Sequence, residues 1–192
     1  MRISKFVLAA GLTAVLAVPT LTPAMAKSAK SRPQAAMSAN TKTFVKKAGL
    51  TNLFEIKAGQ IAQQKSQNST VQDYAKMIVG DHQKAQDDLK AAAVDVHGVS
   101  VPSSLDRAHN KMIKQLQSAS GAKFLKTFKT QQVKGHKAGV KLFRDYGQAG
   151  QDGKLKQFAQ QTLPVLEKHL QHAQELPTRM SAPTVGSGGQ MK

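Results

Sequence analysis

Three histidines, His82, His136 and His169, recur in the same sequence surroundings. Each has apolar residues eleven and three positions before it and seven positions after it. At about 100° per residue these positions share one face of an α-helix, so each imidazole lies within an apolar stripe. Neutral imidazole is a good ligand for zinc, copper, iron and nickel. The spacing therefore predicts three inward histidines that are able to bind one transition-metal ion.

A carboxylate, Glu55, lies on the apolar face of an earlier helical segment, together with small residues such as Ala48 and Ala62. With turns placed near Asn68 and Gly150 and a rise of about 1.5 Å per residue, Glu55 and the three histidines lie at similar heights in a helical bundle. The sequence predicts that Glu55 is a fourth metal ligand or a residue that orients an imidazole. The sequence does not fix a cofactor; the candidate is a single transition-metal ion, Zn, Cu, Fe or Mn.

The same histidines have a second interpretation, as neutral core residues that each bond to a carbonyl, a water or Glu55. Other kinds of site are disfavoured. The chain has no cysteine, and none of Glu55, Glu167 and Glu175 stands three positions before a histidine, as a di-iron carboxylate site requires. It also has no Walker loop and no nucleophile elbow. No catalytic residue is predicted, and enzymatic activity stays open.

The elements that must position these side chains are all helical. Ala, Gln, Lys and Leu predominate, and no segment shows the alternation of β-branched residues that strands require. Four long helices are predicted over about residues 41–67, 70–96, 122–146 and 154–175, and residues 98–120 form a long, partly helical crossover between helices 2 and 3. The predicted domain is a four-helix bundle over residues 41–176.

The two ends of the chain differ in composition from this domain. Arg2 and Lys5, a short apolar run and the sequence Ala24-Met25-Ala26 are typical of a secretory signal peptide over residues 1–26. We expect an exported protein of the periplasm or cell envelope, with no transmembrane span in the mature chain. Residues 27–40 are predicted to be a flexible basic arm, and residues 177–192 a disordered tail.

The formal net charge is +17, which favours anionic partners. On the third long helix, five basic residues share about 80° of arc beside the apolar face: Lys126, Lys134, Lys137, Lys141 and Arg144. This basic stripe is either a solvated helix face or a contact for an anionic polysaccharide or membrane surface. Nucleic acid is disfavoured because few aromatic residues remain for base stacking. The alternative function is therefore a non-enzymatic envelope protein that binds polyanions.

A set of residues spread over the predicted helices forms a recognisable pattern: Phe44-Val45, Glu55, Met77, Asp81-His82, Leu105, Ser120-Gly121, Phe124, His136, Leu163-Pro164 and His169. In these residues the chain resembles one known family, the bacterial exported proteins catalogued as domain of unknown function 4142. The resemblance covers about residues 41–176 and implies a ferritin-like four-helix bundle, with no established activity. The family often has an acidic residue before its middle histidine, where this chain has Gly135.

Overall fold

The computed structural model describes residues 34–180, with side chains from residue 40 onward. The predicted signal peptide, residues 27–33 of the predicted arm and the tail beyond Met180 lie outside the described residues. The described part is all-helical, as the composition predicts, and contains no strand. Its five helices are α1 (Gln34–Lys65), α2 (Ser69–Ala93), α3 (Arg107–Ser118), α4 (Gly121–Ala149) and α5 (Gly153–Glu175).

The first helix begins earlier than the sequence pattern predicts. Residues 34–40, which composition assigns to the flexible arm, are the first turns of α1. Ala35, Ala36 and Met37 are strong helix formers, and Pro33 stands directly before the first helical residue, where its missing N–H costs nothing. The last helix continues through Pro164, which lies on its exposed side.

Three turns are fixed by side chains that cap the following helix. Asn68, Asp106 and Asp152 each have extended backbone and accept a hydrogen bond from the backbone N–H three residues later. Such a bond satisfies one of the amide groups that have no partner inside the helix. The caps therefore define where α2, α3 and α5 begin, and with them the register of every side chain that follows.

The four long helices pack as two hairpins. α1 packs along α2 and α4 along α5, while α2 also contacts α5 and α1 contacts α4. The short helix α3 lies in the crossover and rests on α1 and α4, where it buries Ile113 and Leu116. Within residues 34–180, no helix is both long enough and apolar enough to cross a membrane.

The buried apolar side chains form two separate clusters. One contains Phe54, Ile78 and Phe128, and the other contains Phe44 and Leu166. On α2, α4 and α5 the inward histidines fall in sequence between members of the first cluster and members of the second. A layer of buried polar side chains therefore separates the two clusters at mid-height, and the candidate site lies in this layer.

Candidate metal centre

The three helices bring the imidazoles of His82, His136 and His169 together. Their side chains are 1%, 2% and 1% exposed, so the prediction that each lies inside the core is confirmed. The ring centroids form a nearly equilateral triangle with sides of 5.6, 5.3 and 5.3 Å. The apolar stripes are less complete than the pattern predicts, since Val79 and Val133 are only partly buried.

The tautomer of His82 is set by a chain of hydrogen bonds that ends at a backbone carbonyl. The carbonyl of Pro102 accepts from Nε2 of Gln86, whose Oε1 accepts from Nδ2 of Asn52. Asn52 Oδ1 is thereby left to accept from His82 Nδ1, at 2.9 Å. Since Nδ1 carries the proton, Nε2 of His82 carries a lone pair.

The tautomer of His136 is set more directly. Its Nδ1 donates to the backbone carbonyl of Gln132, one turn earlier on α4, at 2.9 Å. A carbonyl only accepts, so Nε2 of His136 also carries a lone pair. The two Nε2 atoms of His82 and His136 face each other at 3.5 Å, and neither has a hydrogen to donate to the other.

The third imidazole, that of His169, bonds to a side chain at the protein surface. Asp81 on α2 keeps a side chain that is 47% exposed, and its Oδ2 accepts from Nε2 of His169 at 2.8 Å. The other ring nitrogen, Nδ1, is buried and has no hydrogen-bond partner among the described residues. His169 therefore presents an unpaired lone pair through Nδ1, whereas the other two histidines present theirs through Nε2.

The three histidines offer nitrogen atoms that all lie within 4.8 Å of one another. Tetrahedral zinc holds nitrogen ligands at about 2.0–2.1 Å, which puts them about 3.4 Å apart. The Nε2 atoms of His82 and His136, 3.5 Å apart, already have about that separation. Each opposite ring nitrogen bonds to an oxygen, which is how metal-binding imidazoles are usually oriented.

Glu55 lies behind His136 rather than among the three converging nitrogens. Its Oε1 is 3.9 Å from His136 Nδ1, the nitrogen that already bonds to the Gln132 carbonyl. Its Oε2 accepts from Nε2 of Gln132 at 2.7 Å, and Oε1 of Gln132 accepts from the Tyr74 hydroxyl at 2.8 Å. Glu55 therefore lies outside the group of converging nitrogens and forms no hydrogen bond to His136, which it meets only as a nearby carboxyl group.

The remaining oxygen of Glu55 has no partner among the described residues, although the side chain is 0% exposed. A Cβ atom at Gly135 would lie 3.1 Å from that oxygen, so glycine leaves the space beside it free. Burial raises the pKa of Glu55 to about 8, and the bond from Gln132 opposes that rise. The carboxyl is therefore mostly protonated at neutral pH in the metal-free protein.

Burial also determines the charge of the three imidazoles. It lowers the pKa of His136 to about 4, with a further contribution from His169. The pKa of His82 is lowered well below its usual value by burial and by the two neighbouring histidines, and burial likewise lowers that of His169. All three rings are neutral at physiological pH, which is the form that binds a metal ion.

The other titratable groups that the sequence singled out lie elsewhere. Glu167 and Glu175 are exposed, and Glu167 pairs with Arg144 at 2.7 Å. His109 bonds to Asp106 at 2.7 Å and is not one of the three clustered histidines. Glu167 and Glu175 therefore lie outside the buried layer that contains Glu55.

Sequence reasoning missed the polar residues that orient the imidazoles: Asn52, Gln86, Gln132 and the carbonyl of Pro102. Asn52 and Gln132 stand three and four positions before Glu55 and His136, which is one helical turn, so their position on the buried face was available as a signal. Asp81 belongs to the Asp81-His82 pair, but it bonds to His169 rather than to its neighbour in the chain. No spacing in the sequence indicates that partner.

The fold and the centre together define an all-helical protein with a buried layer of three convergent histidines. The chain belongs to the family described as Domain of unknown function (DUF4142), whose model matches residues 26–176. No curated protein and no solved structure matches the chain. The resemblance drawn from individual residues is therefore confirmed as a family relationship.

Proposed function

We propose that the protein binds a single transition-metal ion through His82, His136 and His169 and serves in metal handling or stress protection. The observation that carries this proposal is the convergence of three buried imidazole lone pairs whose opposite nitrogens all bond to oxygen. A histidine that serves only packing has no need to point a lone pair at two others. Holding three such groups together without a shared cation costs free energy, because their dipoles repel.

The charge around the centre suits a divalent ion. Three neutral imidazoles supply no negative charge, but Asp81 stands behind His169 and Glu55 stands behind His136. Ionised, these two carboxylates would balance the charge of one divalent cation in a buried layer, where an uncompensated charge is expensive. Glu55 is proposed here to supply the second compensating charge from behind His136, whose imidazole is oriented by the Gln132 carbonyl.

The proposal also includes the arrangement of the helices and the location of the protein in the cell. We place the centre in a ferritin-like arrangement of the four long helices, and the protein in the periplasm or cell envelope after removal of residues 1–26. The packing of α1 with α2, α4 with α5 and α2 with α5 supports the bundle. A site of this kind uses three nitrogen ligands and leaves one coordination position for a solvent molecule or a small substrate.

Calorimetric titration tests the proposal directly. The purified full chain, made without an affinity tag and freed of metal with a chelator, is titrated with Zn²⁺, Cu²⁺, Fe²⁺ and Mn²⁺. We expect one of these ions to bind with a stoichiometry of one per chain and to raise the midpoint of thermal unfolding as its concentration rises. Absence of stoichiometric binding by all four ions would mean that the three histidines are core residues.

Asp81 should contribute to metal affinity through its bond to His169. We expect Asp81→Ala to weaken binding about 10- to 100-fold, because residues that orient a metal-binding histidine typically have effects of this size. Asp81→Asn keeps an acceptor but loses the charge, and should fall between Asp81→Ala and the wild type. Asp73→Asn removes the same charge from an exposed position of α2 and is the matched control. Equal losses in Asp73→Asn and Asp81→Asn would show that the general field matters and the hydrogen bond does not.

A further inference from the structure

The basic stripe of α4 separates into two parts that differ in their surroundings. At its C-terminal end, Lys141 pairs with Asp145 at 2.6 Å, and Arg144 pairs with Glu167 at 2.7 Å. Lys126, Lys134 and Lys137 are exposed and form no ion pair with any residue in the range 40–180. The five residues predicted to form one anion-binding stripe are therefore two neutralised residues and three free ones.

The three free lysines line a shallow groove of about 590 Å³. The other lining residues are Lys129, Thr130, Val133 and Thr178. Lys129 donates to the backbone carbonyl of Leu176 at 2.6 Å, which fixes the end of α5 against α4 at one wall. Val133 is partly buried and packs on the core, so that it forms an apolar floor. No acidic side chain lines this groove.

Most acidic residues of the chain have partners elsewhere in the fold. All eleven Asp and Glu residues fall between positions 55 and 175, and residues 1–33 and 181–192 contain none. Most of the eleven are committed to caps, to ion pairs or to the histidine centre. Lys134 and Lys137 are also neighbours at i and i+3, a spacing at which like charges destabilise a helix. The groove therefore holds concentrated, uncompensated positive charge.

We propose that this groove, formed by Lys126, Lys134 and Lys137, binds a linear acidic polysaccharide. Lysine is a point charge that makes no demand for planar, bidentate geometry, so it suits carboxylates spaced along a flexible chain. The two threonine hydroxyls and the floor at Val133 suit the hydroxyl groups and apolar ring faces of sugars. From Lys126 to Lys137 the helix rises about 16 Å, which is the length of a few sugar units.

Two other polyanions fit the groove less well. A bilayer surface is flat, whereas the three lysines line a groove. Among the described residues, no large exposed apolar side chain that could insert into lipid lines this groove. Single-stranded nucleic acid is bound largely by stacking on aromatic rings, and among residues 40–180 no aromatic side chain lines the groove. This inference does not depend on the metal centre, whose histidines are buried and take no part in it.

The test measures binding of fluorescent oligogalacturonate to the full chain over a range of salt concentrations. We expect binding at low salt that weakens as salt rises, since exposed charge contacts are screened. Replacing Lys126, Lys134 and Lys137 together by Gln should weaken binding about tenfold or more and flatten its salt dependence. Glutamine keeps the helix propensity of these exposed positions, and circular dichroism checks that the variant is folded.

The matched control removes three positive charges from another face. Lys57, Lys111 and Lys114 are equally exposed and lie along α1 and α3. Their triple replacement by Gln should leave binding nearly unchanged. Equal losses in both triple variants would overturn the proposal, because net charge alone would explain them. Tighter binding to anionic vesicles or to single-stranded DNA than to the oligosaccharide, or no binding at low salt, would also overturn it.

Discussion

His136→Ala should abolish the stabilisation of the protein by metal. An ion that binds the native state alone stabilises it by an amount set by its excess over Kd, about 4 kcal/mol at a thousandfold excess. The Nε2 atoms of His136 and His82 are 3.5 Å apart, and the ring centroids of His136 and His169 are 5.3 Å apart. Without it, two nitrogens remain for an ion that needs at least three protein ligands in such a site. Chemical unfolding with and without metal measures the difference.

The control for this experiment is His109→Ala. His109 is partly buried, bonds to Asp106 and packs its ring near Phe54, but it lies outside the centre. The variant should leave the metal-dependent gain in stability unchanged, whatever it does to the stability of the metal-free protein. His136→Gln adds a second test, since it fills most of the volume that Ala leaves empty. A full metal increment in either His136 variant would contradict the proposed ligand set.

The stability of the metal-free protein should pass through a maximum near pH 6.5. The pKa of Glu55 rises from 4.5 when unfolded to about 8 when folded, so its contribution is complete below pH 4.5 and is lost as pH rises through 8. Over the whole range from pH 4.5 to 8 this loss amounts to about 5 kcal/mol. The pKa of His136 falls from 6.5 to about 4, so its contribution is complete above pH 6.5 and is lost as pH falls through 4.

Between pH 4.5 and pH 6.5, the titration of the histidines and the titration of Glu55 change the free energy of unfolding in opposite directions. The pKa values of His82 and His169 shift in the same direction as that of His136. Since the pKa values of His82 and His136 both fall well below 6.5, the histidines outweigh the carboxyl from pH 4.5 to 6.5 and stability rises with pH. Above pH 6.5 the unfolded histidines are neutral too, and ionisation of Glu55 alone lowers the free energy of unfolding. Urea titrations at a series of pH values, with a chelator present, measure this profile.

Glu55→Gln tests which group causes the loss of stability at each end of the pH range. Glutamine keeps an oxygen that accepts from Gln132 but does not ionise, so the decline between pH 6.5 and 8 should disappear. The decline on the acid side should remain, because the histidines are unchanged. A wild type whose stability is constant from pH 6.5 to 9 would mean that Glu55 is already ionised and compensated in the folded protein.

The sequence predicted the elements of the fold because local chemistry fixes them. Caps such as Asn68 and Asp152 mark helix starts through bonds to residues three positions away, and the 3.6-residue period carries the buried face along each helix. One helix start was predicted wrongly: α1 begins at Gln34 and not near residue 41. The residues before 41 favour helix but show no apolar periodicity, so the pattern gave no sign of these first turns.

The inward positions of His82, His136 and His169 also followed from the sequence, since the direction of a side chain on a helix depends only on its register. What the sequence could not supply were distances between helices. The bond from Asp81 to His169 spans 88 positions, and the chain from Pro102 through Gln86 and Asn52 to His82 joins a loop and two helices. These contacts depend on how α1, α2 and α5 pack.

The same distinction separates the two parts of the basic stripe. Residue type and helical period place Lys137 and Lys141 on one side of α4, and they do so without regard to what surrounds them. Only packing decides that Glu167 of α5 meets Arg144 while Lys126, Lys134 and Lys137 border a groove without a carboxylate. Local sequence thus determines which way each side chain faces, and the tertiary structure alone decides which charges and lone pairs meet, because that depends on atoms far apart in the chain.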